Sequence, residues 1–465
     1  MFKVKGSLIR QYAVVITANL CVLCTGLSIA WPSPVLVKLS KNDTTTLPRP
    51  VTEYEGSWIV SVGFLTGGLA NFLACFLVDR IGRKYCVIIS YVPRIIMCVA
   101  LTFASKLWMV LLGRALSGLC DALTFTVVPM YASEIASKEV RGSLGTFLQI
   151  FSSLGILIML CTGPFLEYFT LNVMMLSFAV VTLVPLFFLP DSPYFLYSKG
   201  RTDEALKVLL YLRDTETAAK EELKEYSLSG NEEKVTTREL LRDRIFLKSA
   251  CIGIVFGAGL QLVGFNAVTF YLQTVLESTQ TSVRPEIASG VIGSIQLLAA
   301  FSTTLVTDRF GRKPILASTL VGQAVGMVGL GVFFKLKDAG PVTGFLNYVP
   351  LISLILVVYC FSAGLGSLSW GLLAELFEGR TRAVGVTISM LTSLLFIFLT
   401  VKYFAIVTTM IGAPTTYGIF SVNCVLMCLF VCFCVPETKG KTIAEIQMAL
   451  GAKQRDISEK QVEKF

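Results

Sequence analysis

Histidine is absent from the 465 residues of this chain, and charged residues make up only 15% of it. Without histidine the chain has no histidine general base, no histidine metal ligand and no histidine proton relay. Soluble domains carry about 25% charged residues. The 40 Lys and Arg and 31 Asp and Glu residues here are too few and too clustered to coat a soluble protein of this size. The composition therefore excludes a soluble enzyme and a nucleic-acid-binding protein, and we expect no metal or cofactor.

Hydrophobic residues, by contrast, are in excess, at 54% of the chain with a mean hydropathy of +0.71. They form runs of about 18 to 25 residues between the charged segments. A helix rises about 1.5 Å per residue, so each run is long enough to cross a hydrocarbon core of about 30 Å. The sequence predicts an all-α membrane protein with twelve transmembrane helices. The predicted spans are 12–31, 57–78, 85–105, 107–131, 143–165, 171–189, 250–272, 287–306, 314–334, 349–372, 383–408 and 413–435.

One long polar segment separates six of these spans from the other six. We therefore predict an N-terminal six-helix bundle at 1–190, a cytosolic linker with short helices at 191–248, a C-terminal six-helix bundle at 249–437 and a cytosolic tail at 438–465. Within the linker, residues 201–226 have leucines among charges at the spacing of a soluble amphipathic helix.

The basic residues indicate the orientation. With the N-terminus inside, 30 of the 40 Lys and Arg residues fall in inside segments, seven in outside loops and three within spans. Positive residues favour the cytosolic side, so both termini are predicted to be cytosolic, and the net charge of +9 follows largely from this bias. The first apolar run has the length of a span, so we expect no cleavable signal peptide. Asn42, in the first outside loop, begins an Asn-x-Thr sequence that predicts glycosylation.

Three charged motifs occur once in each half of the chain. The first is the hexapeptide Asp-Arg-x-Gly-Arg-Lys, the second is a Glu and an Arg seven residues apart, and the third is a Pro followed by an acid. The hexapeptide occurs at 79–84 and 308–313. The second motif is Glu134 with Arg141 and again Glu375 with Arg382, and the acids of the third are Asp191 and Glu437. Membrane-anchoring charge would explain the basic residues but not the ordered acids and glycines. The three matches in register indicate two pseudo-symmetric six-helix bundles.

All these motifs lie on the predicted cytosolic face, where the ends of neighbouring helices can exchange arginine–carboxylate hydrogen bonds. Such a cluster can hold two six-helix halves together on one side of the membrane, and breaking it would open that side. Alternating access requires two such halves with a binding site near the bilayer midplane.

These motifs and several further ones make the chain resemble the sugar porter family of the major facilitator superfamily over nearly its whole length. The further motifs are Gly113-Arg114, Pro129-x-Tyr131-x-x-Glu134, Gln261-Leu262-Val263-Gly264-Phe265-Asn266 and the segment 436–442. The resemblance implies facilitative transport of a sugar, trehalose or hexose, by a multi-pass plasma-membrane protein that works as a monomer in the lipid bilayer. Within the family, Gly26 followed by Ser33-Pro34 is similar to a group of insect facilitated trehalose transporters.

The resemblance also implies roles for individual residues. The implied cytosolic gate consists of Arg83, Glu134, Arg141 and Asp191 in the first half and of Arg312, Glu375, Arg382 and Glu437 in the second. The positions that match family sugar contacts are Gln149, Gln261, Asn266, Gln296 and Trp370. Amides can both donate to and accept from sugar hydroxyls, although each can also bond to a neighbouring helix.

The second half departs from the family pattern at several positions. Leu260 replaces the first of two glutamines, Ser362 an acid, and Ser393 one of the polar positions of the eleventh span. The tenth span lacks the prolines that precede the family tryptophan, so its bending is in doubt. We expect a less polar C-terminal half of the cavity, which leaves two outcomes open: an altered substrate, or weakened or lost transport.

Three ionisable residues within spans are functional candidates. Arg114 occupies the family's arginine position, while Arg94 in the third span and Asp121 in the fourth can pair across neighbouring helices. Proton-coupled sugar porters usually carry an acid in the first span, and residues 12–31 contain none. That favours facilitated diffusion. The alternatives are a symporter coupled through Asp121 and a non-transporting sugar sensor on the same scaffold.

Overall fold

The computed structural model describes most of the chain. The described residues are 6–41, 47–137, 140–213, 215–229, 243–280, 283–340, 342, 344–377, 379–439, 441, 445–446 and 448, without the side chains at 75, 141–142, 227–229, 304–309, 374, 379–380 and 383. The predicted glycosylation site at Asn42 and most of the predicted tail at 438–465 lie outside this description.

The described regular structure is helical. In the first half of the chain the helices are α1 Gly6–Ala30, α2 Pro32–Ser40, α3 Glu53–Ile81, α4 Arg83–Thr102, α5 Leu107–Ile135, α6 Arg141–Gly145, α7 Phe147–Thr162, α8 Tyr168–Leu186, α9 Pro193–Ser198, α10 Thr202–Leu212 and α11 Glu216–Ser229. In the second they are α12 Arg244–Leu262, α13 Phe265–Phe270, α14 Leu272–Thr279, α15 Pro285–Phe310, α16 Arg312–Ala339, a short 3₁₀ helix Gly344–Tyr348, α17 Val349–Ala363, α18 Leu365–Glu375, α19 Gly379–Ile411 and α20 Ala413–Cys434.

The prediction of twelve membrane-spanning helices is confirmed. The part of the chain that the structure describes holds 12 helices long and apolar enough to cross a membrane, six between residues 6 and 186 and six between residues 244 and 434. The first span is much longer than predicted. It covers Gly6–Ser40, because Pro32 begins α2 directly after α1. Proline is well suited to the first turn of a helix, so it restarts the helix here.

The chain divides into two compact units. Unit 1 consists of Met1–Asn231 with Phe270–Thr274, and unit 2 of Glu232–Thr269 with Val275–Phe465. Each unit contains six of the membrane-spanning helices. The division within the polar segment falls later than residue 190, because α9, α10 and α11 belong to unit 1.

Glycines allow the helices of unit 1 to approach closely. On α5, a Cβ added to Gly118 would overlap the carbonyl oxygen of Gly63 on α3, and on α1 a Cβ added to Gly26 would overlap the carbonyl oxygen of Ser152 on α7. In unit 2, a Cβ added to Gly257 of α12 would lie 2.5 Å from the carbonyl oxygen of Ser389 on α19. Small residues at such crossings are the usual means of packing helices in a membrane, where the hydrophobic effect does not drive association.

The turn between the second and third helical spans of each unit has the same backbone conformation. Gly82 has φ 88° and ψ 167°, and Gly311 has φ 87° and ψ 167°. This region of backbone space is essentially restricted to glycine. The repeat seen in the hexapeptide motif is therefore also a repeat in backbone geometry.

Two spans of unit 2 are interrupted rather than continuous. The seventh breaks between α12 and α13 at Gly264, whose φ is 83°. The tenth breaks between α17 and α18 at Gly364, with φ −105° and ψ −99°. The tenth span thus bends without the family prolines, because Gly364 supplies the change in backbone direction.

The predicted amphipathic segment 201–226 forms two helices, α10 and α11. The chain turns after Leu212, whose carbonyl oxygen accepts a hydrogen bond of 2.9 Å from Gln11 of α1. Arg213 binds Glu222 through two hydrogen bonds of 2.6 and 2.8 Å and donates to the carbonyl oxygen of Ile135 at 2.9 Å. These contacts attach the polar helices to the ends of α1 and α5.

Candidate functional site

The first charge cluster, Arg83, Glu134 and Ser192, lies where α4 begins and α5 ends. Arg83 donates to Oε1 of Glu134 from Nε at 3.0 Å and forms an ion pair with it from Nη2 at 2.9 Å. The hydroxyl of Ser192 donates to the other carboxylate oxygen. Arg83 is buried and also donates to the carbonyl oxygen of Val78 at 3.3 Å. The carboxylate is thus held by three donors from two separate chain segments.

The other two members of the implied first gate are placed differently. Asp191 is half-buried, and the contact with Glu134 is made by its neighbour Ser192. Tyr131 of α5 fixes the same segment by donating to the carbonyl oxygen of Pro190 at 2.7 Å. The side chain of Arg141 lies outside the described residues, so its role stays a prediction.

The second charge cluster, Arg312, Glu375 and Glu437, lies where α16 begins and α18 ends. Arg312 Nη2 lies 3.0 Å from Oε1 of Glu375, which repeats the geometry of the first cluster. Glu437 instead accepts hydrogen bonds of 3.0 to 3.1 Å from four backbone N–H groups. Burial opposes its ionisation, but the N–H donors outweigh burial and hold the pKa of this carboxyl below its usual range. Arg382 is exposed.

The amide cluster of unit 2 consists of Gln261, Asn266 and Ser393. Gln261 Nε2 donates to the hydroxyl of Ser393 at 2.7 Å, and Asn266 Nδ2 donates to Oε1 of Gln261 at 2.5 Å. Gln261 and Ser393 are buried, whereas Asn266 is half-buried. The break at Gly264 brings the two amides together across the turn between α12 and α13. This cluster combines neutral donors and acceptors of the kind that bind hydroxyl groups.

The other residues predicted to contact the sugar form no described hydrogen bond with this cluster. Gln296 on α15 is buried, and its Oε1 accepts no hydrogen bond from the described residues. Trp370 on α18 is 43% exposed. In unit 1, the half-buried Gln149 donates to Ser153 on its own helix at 3.4 Å. Gln296 therefore has a buried side-chain oxygen without a donor among the described residues.

The helix break in the seventh span depends on two residues that sequence reasoning missed. Asn423 Nδ2 donates to the carbonyl oxygen of Leu262 at 3.0 Å, and Gln323 Nε2 donates to that of Val263 at 3.3 Å. A carbonyl released from a helix inside a membrane must find another donor. Each of them is recognisable in the sequence as an uncharged amide within an otherwise apolar span. In the structure both amides donate to backbone carbonyl oxygens.

The buried cluster of unit 1 joins α1, α4 and α5. Arg94, 1% exposed, lies 3.5 Å from Asp121 Oδ1 and donates to the hydroxyls of Thr25 at 2.8 Å and Thr124 at 3.1 Å. Ser28 donates to Oδ2 of Asp121 at 3.2 Å. The two charges predicted to pair across neighbouring helices are therefore adjacent.

Arg114, the third ionisable residue within a span, uses its guanidinium to bind backbone. It donates to the carbonyl oxygens of Ile59 at 3.0 Å and Ser28 at 3.1 Å, and lies 5.6 Å from the ring centroid of Trp31. These contacts connect α1, α3 and α5, so the position has a structural use whatever else it does.

The helical architecture, the repeated charge clusters and the buried amides define a membrane transporter of the major facilitator type. The chain belongs to the family of sugar (and other) transporters, whose family model matches residues 14–450. This is a family of transporters and not a class of enzymes, and its membership makes the chain a multi-pass membrane protein.

Among similar proteins is the facilitated trehalose transporter Tret1 of Polypedilum vanderplanki, 30% identical over 456 residues, which cover 96% of this chain and 89% of the relative. The protein of the same name from Anopheles gambiae is 29% identical, and the match spans 96% of this chain but only 57% of that longer relative.

Solved structures share the fold. The inward-open xylose transporter XylE from Escherichia coli has a TM-score of 0.81 at 23% identity, over 94% of this chain and 99% of that one. XylE bound to 6-bromo-6-deoxy-D-glucose has a TM-score of 0.76 at 23% identity, over 95% of this chain and 99% of that one. The resemblance to the sugar porters found in the sequence is confirmed.

Proposed function

We propose that this protein carries trehalose or a hexose across the plasma membrane by facilitated diffusion with alternating access. The observation that carries the proposal is the amide cluster of unit 2, together with the buried side-chain oxygen of Gln296. A sugar needs several neutral donors and acceptors inside an apolar bundle, and these residues supply them without a charge. Both termini are proposed to be cytosolic and the monomer to be the working unit.

The names of the relatives favour trehalose over a hexose. Those proteins are facilitated trehalose transporters from insects, at 29 to 30% identity over nearly all of this chain. The amide cluster is also compact, because Gln261 and Asn266 bond to each other. A disaccharide that contacts one end of such a cluster has more hydroxyls than a monosaccharide with which to form hydrogen bonds elsewhere.

Uptake of labelled trehalose and labelled glucose in oocytes tests this proposal, with Gln261→Leu as the informative variant. Leucine removes the amide that bonds to Ser393 and Asn266, so two hydrogen bonds of about 0.5–1.5 kcal/mol each are lost. We expect the KM for the transported sugar to rise roughly five- to 150-fold, with a smaller change in maximal rate.

The matched control is Ser294→Ala, on α15, because this exposed hydroxyl donates only within its own helix, to Gly290 at 2.9 Å. Its KM should stay at the wild-type value. If Gln261→Leu transports with an unchanged KM, the amide cluster is not the sugar site. If neither sugar is taken up by the wild-type protein at the cell surface, the transport proposal is wrong.

We further propose that transport is not coupled to protons. Helix α1 contains no acidic residue, and the half-buried acid that contacts it, Asp121, is already engaged by Arg94 and by Ser28 of α1. We expect the sugar to equilibrate across the membrane without accumulation. Adding a protonophore should leave both the initial rate and the final level of uptake unchanged. Loss of an accumulated sugar gradient on adding it would establish symport instead.

A non-transporting sugar sensor is the second candidate function. It is favoured by the same cluster, because Gln261 and Asn266 satisfy each other and the second half has lost several polar positions of the family. The two functions differ in flux. Saturable sugar binding with zero flux for both sugars would establish the sensor, whereas any saturable flux excludes it.

A further inference from the structure

A cavity of about 540 Å³ lies in unit 2, outside the amide and buried clusters described above. Its walls come from the beginning of α12, the beginning of α16 and the end of α20 with the segment that follows it. All three are ends of membrane-spanning helices, so the cavity lies at the level where a bilayer changes from hydrocarbon to head groups.

The cavity is lined by three lysines: Lys248 of α12, Lys313 of α16 and Lys441 beyond α20. Glu437 is the acid among its lining residues, and four backbone N–H groups already bind its carboxylate. Two of those donors are the N–H groups of Arg312 and Lys313, so Glu437 holds the first turn of α16, which carries Lys313. The cavity therefore has a net positive charge, and Lys313 and Lys441 offer ammonium groups to an anion.

The cavity also has exposed apolar side chains among its lining residues. Phe433 of α20 is 83% exposed and Val255 of α12 is 48% exposed, and both line the same cavity. Residues of this kind on membrane-spanning helices lie against acyl chains in a bilayer. The cavity thus combines lysine ammonium groups with exposed apolar side chains of membrane-spanning helices.

We propose that this cavity binds the head group of an anionic phospholipid, with the phosphate against Lys313 and Lys441 and the acyl chains along Val255 and Phe433. Its charge and its position suit such a lipid, because anionic lipids attract basic side chains at the membrane surface. Lysine stems can lie along the apolar side chains while their ammonium groups reach the phosphate. A free phosphate ion would use the lysines but leave the apolar side chains without a role. Since Lys313 follows Arg312 of the second charge cluster, an occupied site would hold the beginning of α16 in place.

The experiment is a lipid titration of the full-length protein in detergent, with bound lipid measured by native mass spectrometry. The probe is phosphatidylserine, with phosphatidylcholine as the neutral comparison. Each lysine near an anionic lipid contributes about fivefold in affinity, so Lys313→Gln/Lys441→Gln should bind phosphatidylserine about 25-fold more weakly. Binding of phosphatidylcholine should change little.

The charge-matched control is Lys199→Gln/Lys207→Gln, which removes two exposed lysines of unit 1, one directly after α9 and one on α10. It should bind phosphatidylserine as the wild type does. Lys441→Gln alone changes an exposed residue outside the helices and should weaken binding about fivefold, so the test stands even if the double variant unfolds.

Three results would overturn the proposal. The first is unchanged phosphatidylserine binding in the Lys441→Gln variant, and the second is an equal loss in the control. The third is displacement of phosphatidylserine by an equal concentration of inorganic phosphate, which would make the cavity a site for small anions rather than for a lipid.

Discussion

Replacing Arg83 with leucine is expected to lower the maximal rate of sugar uptake about tenfold or more, at equal surface expression. The substitution leaves Glu134 half-buried with only the hydroxyl of Ser192 as a described side-chain partner. Removing one member of a buried ion pair costs about 3–5 kcal/mol, because the remaining charge stays desolvated. Conformations of a transporter differ by only a few kcal/mol. A loss of this size therefore moves most of the molecules into one conformation and slows the cycle, and initial uptake rates measure it.

The second charge cluster provides the comparison. The side chain of Arg312 is 28% exposed against 6% for Arg83, so water screens its pair with Glu375 more strongly. We expect Arg312→Leu to reduce the rate less than Arg83→Leu does, and Lys84→Gln, which removes a neighbouring charge outside either cluster, to have little effect. An Arg83→Leu variant that transports at the wild-type rate would exclude a role for the cluster in the cycle.

The architecture was predictable because each part of it depends on a signal that is local in the sequence. The twelve spans follow from apolar length alone, and the repeat follows from charged motifs that must end helices in both units. Gly82 and Gly311 show why the motif is informative: each occupies a backbone conformation that other residues rarely adopt. A glycine at that place in both copies therefore carries geometric information.

The partners within the clusters were not predictable, because they depend on how helices rotate against each other. Nothing in the sequence pairs Gln261 with Ser393, which are 132 residues apart, or places Ser192 rather than Asp191 on Glu134. The same holds for the hydrogen bond from Asn423 to the carbonyl oxygen of Leu262, because the demand for a donor arises only once the seventh span breaks. The length of the first span was missed for a simpler reason: Pro32 and Pro34 suggest a helix end, yet Pro32 lies in the first turn of α2.

The amide cluster and the charge clusters differ in the free-energy cost of exchanging hydrogen-bond partners. The amides are neutral, so they can exchange their mutual hydrogen bond for one to a sugar hydroxyl at little net cost. The charge clusters cannot exchange partners in that way, because a separated carboxylate or guanidinium must be rehydrated or paired again. We therefore expect substitutions in the amide cluster to change mainly KM, and substitutions in the charge clusters to change mainly the maximal rate.

The largest loss of stability is expected from Asp121→Asn. Arg94 is 1% exposed, and Asp121 is the acid with which it forms its described ion pair, at 3.5 Å. The asparagine variant leaves the guanidinium charged in a bundle interior with only the hydroxyls of Thr25 and Thr124 as described hydrogen-bond acceptors. The expected cost is about 3–5 kcal/mol, and a lower apparent melting temperature of the purified protein in detergent would reveal it. Asp79→Asn is the matched control, because that carboxylate is 83% exposed and its loss costs about 1 kcal/mol or less.

The double variant Arg94→Met/Asp121→Leu separates a structural pair from a functional charge. Replacing both members by apolar residues of similar size removes the unpaired charge, so we expect the melting temperature to recover most of what Asp121→Asn loses. If the pair is structural, facilitated uptake should recover with it. A variant that regains its melting temperature but not its transport would show that Asp121 acts in the transport cycle itself. Asp121→Asn with an unchanged melting temperature would mean that Arg94 does not depend on this carboxylate.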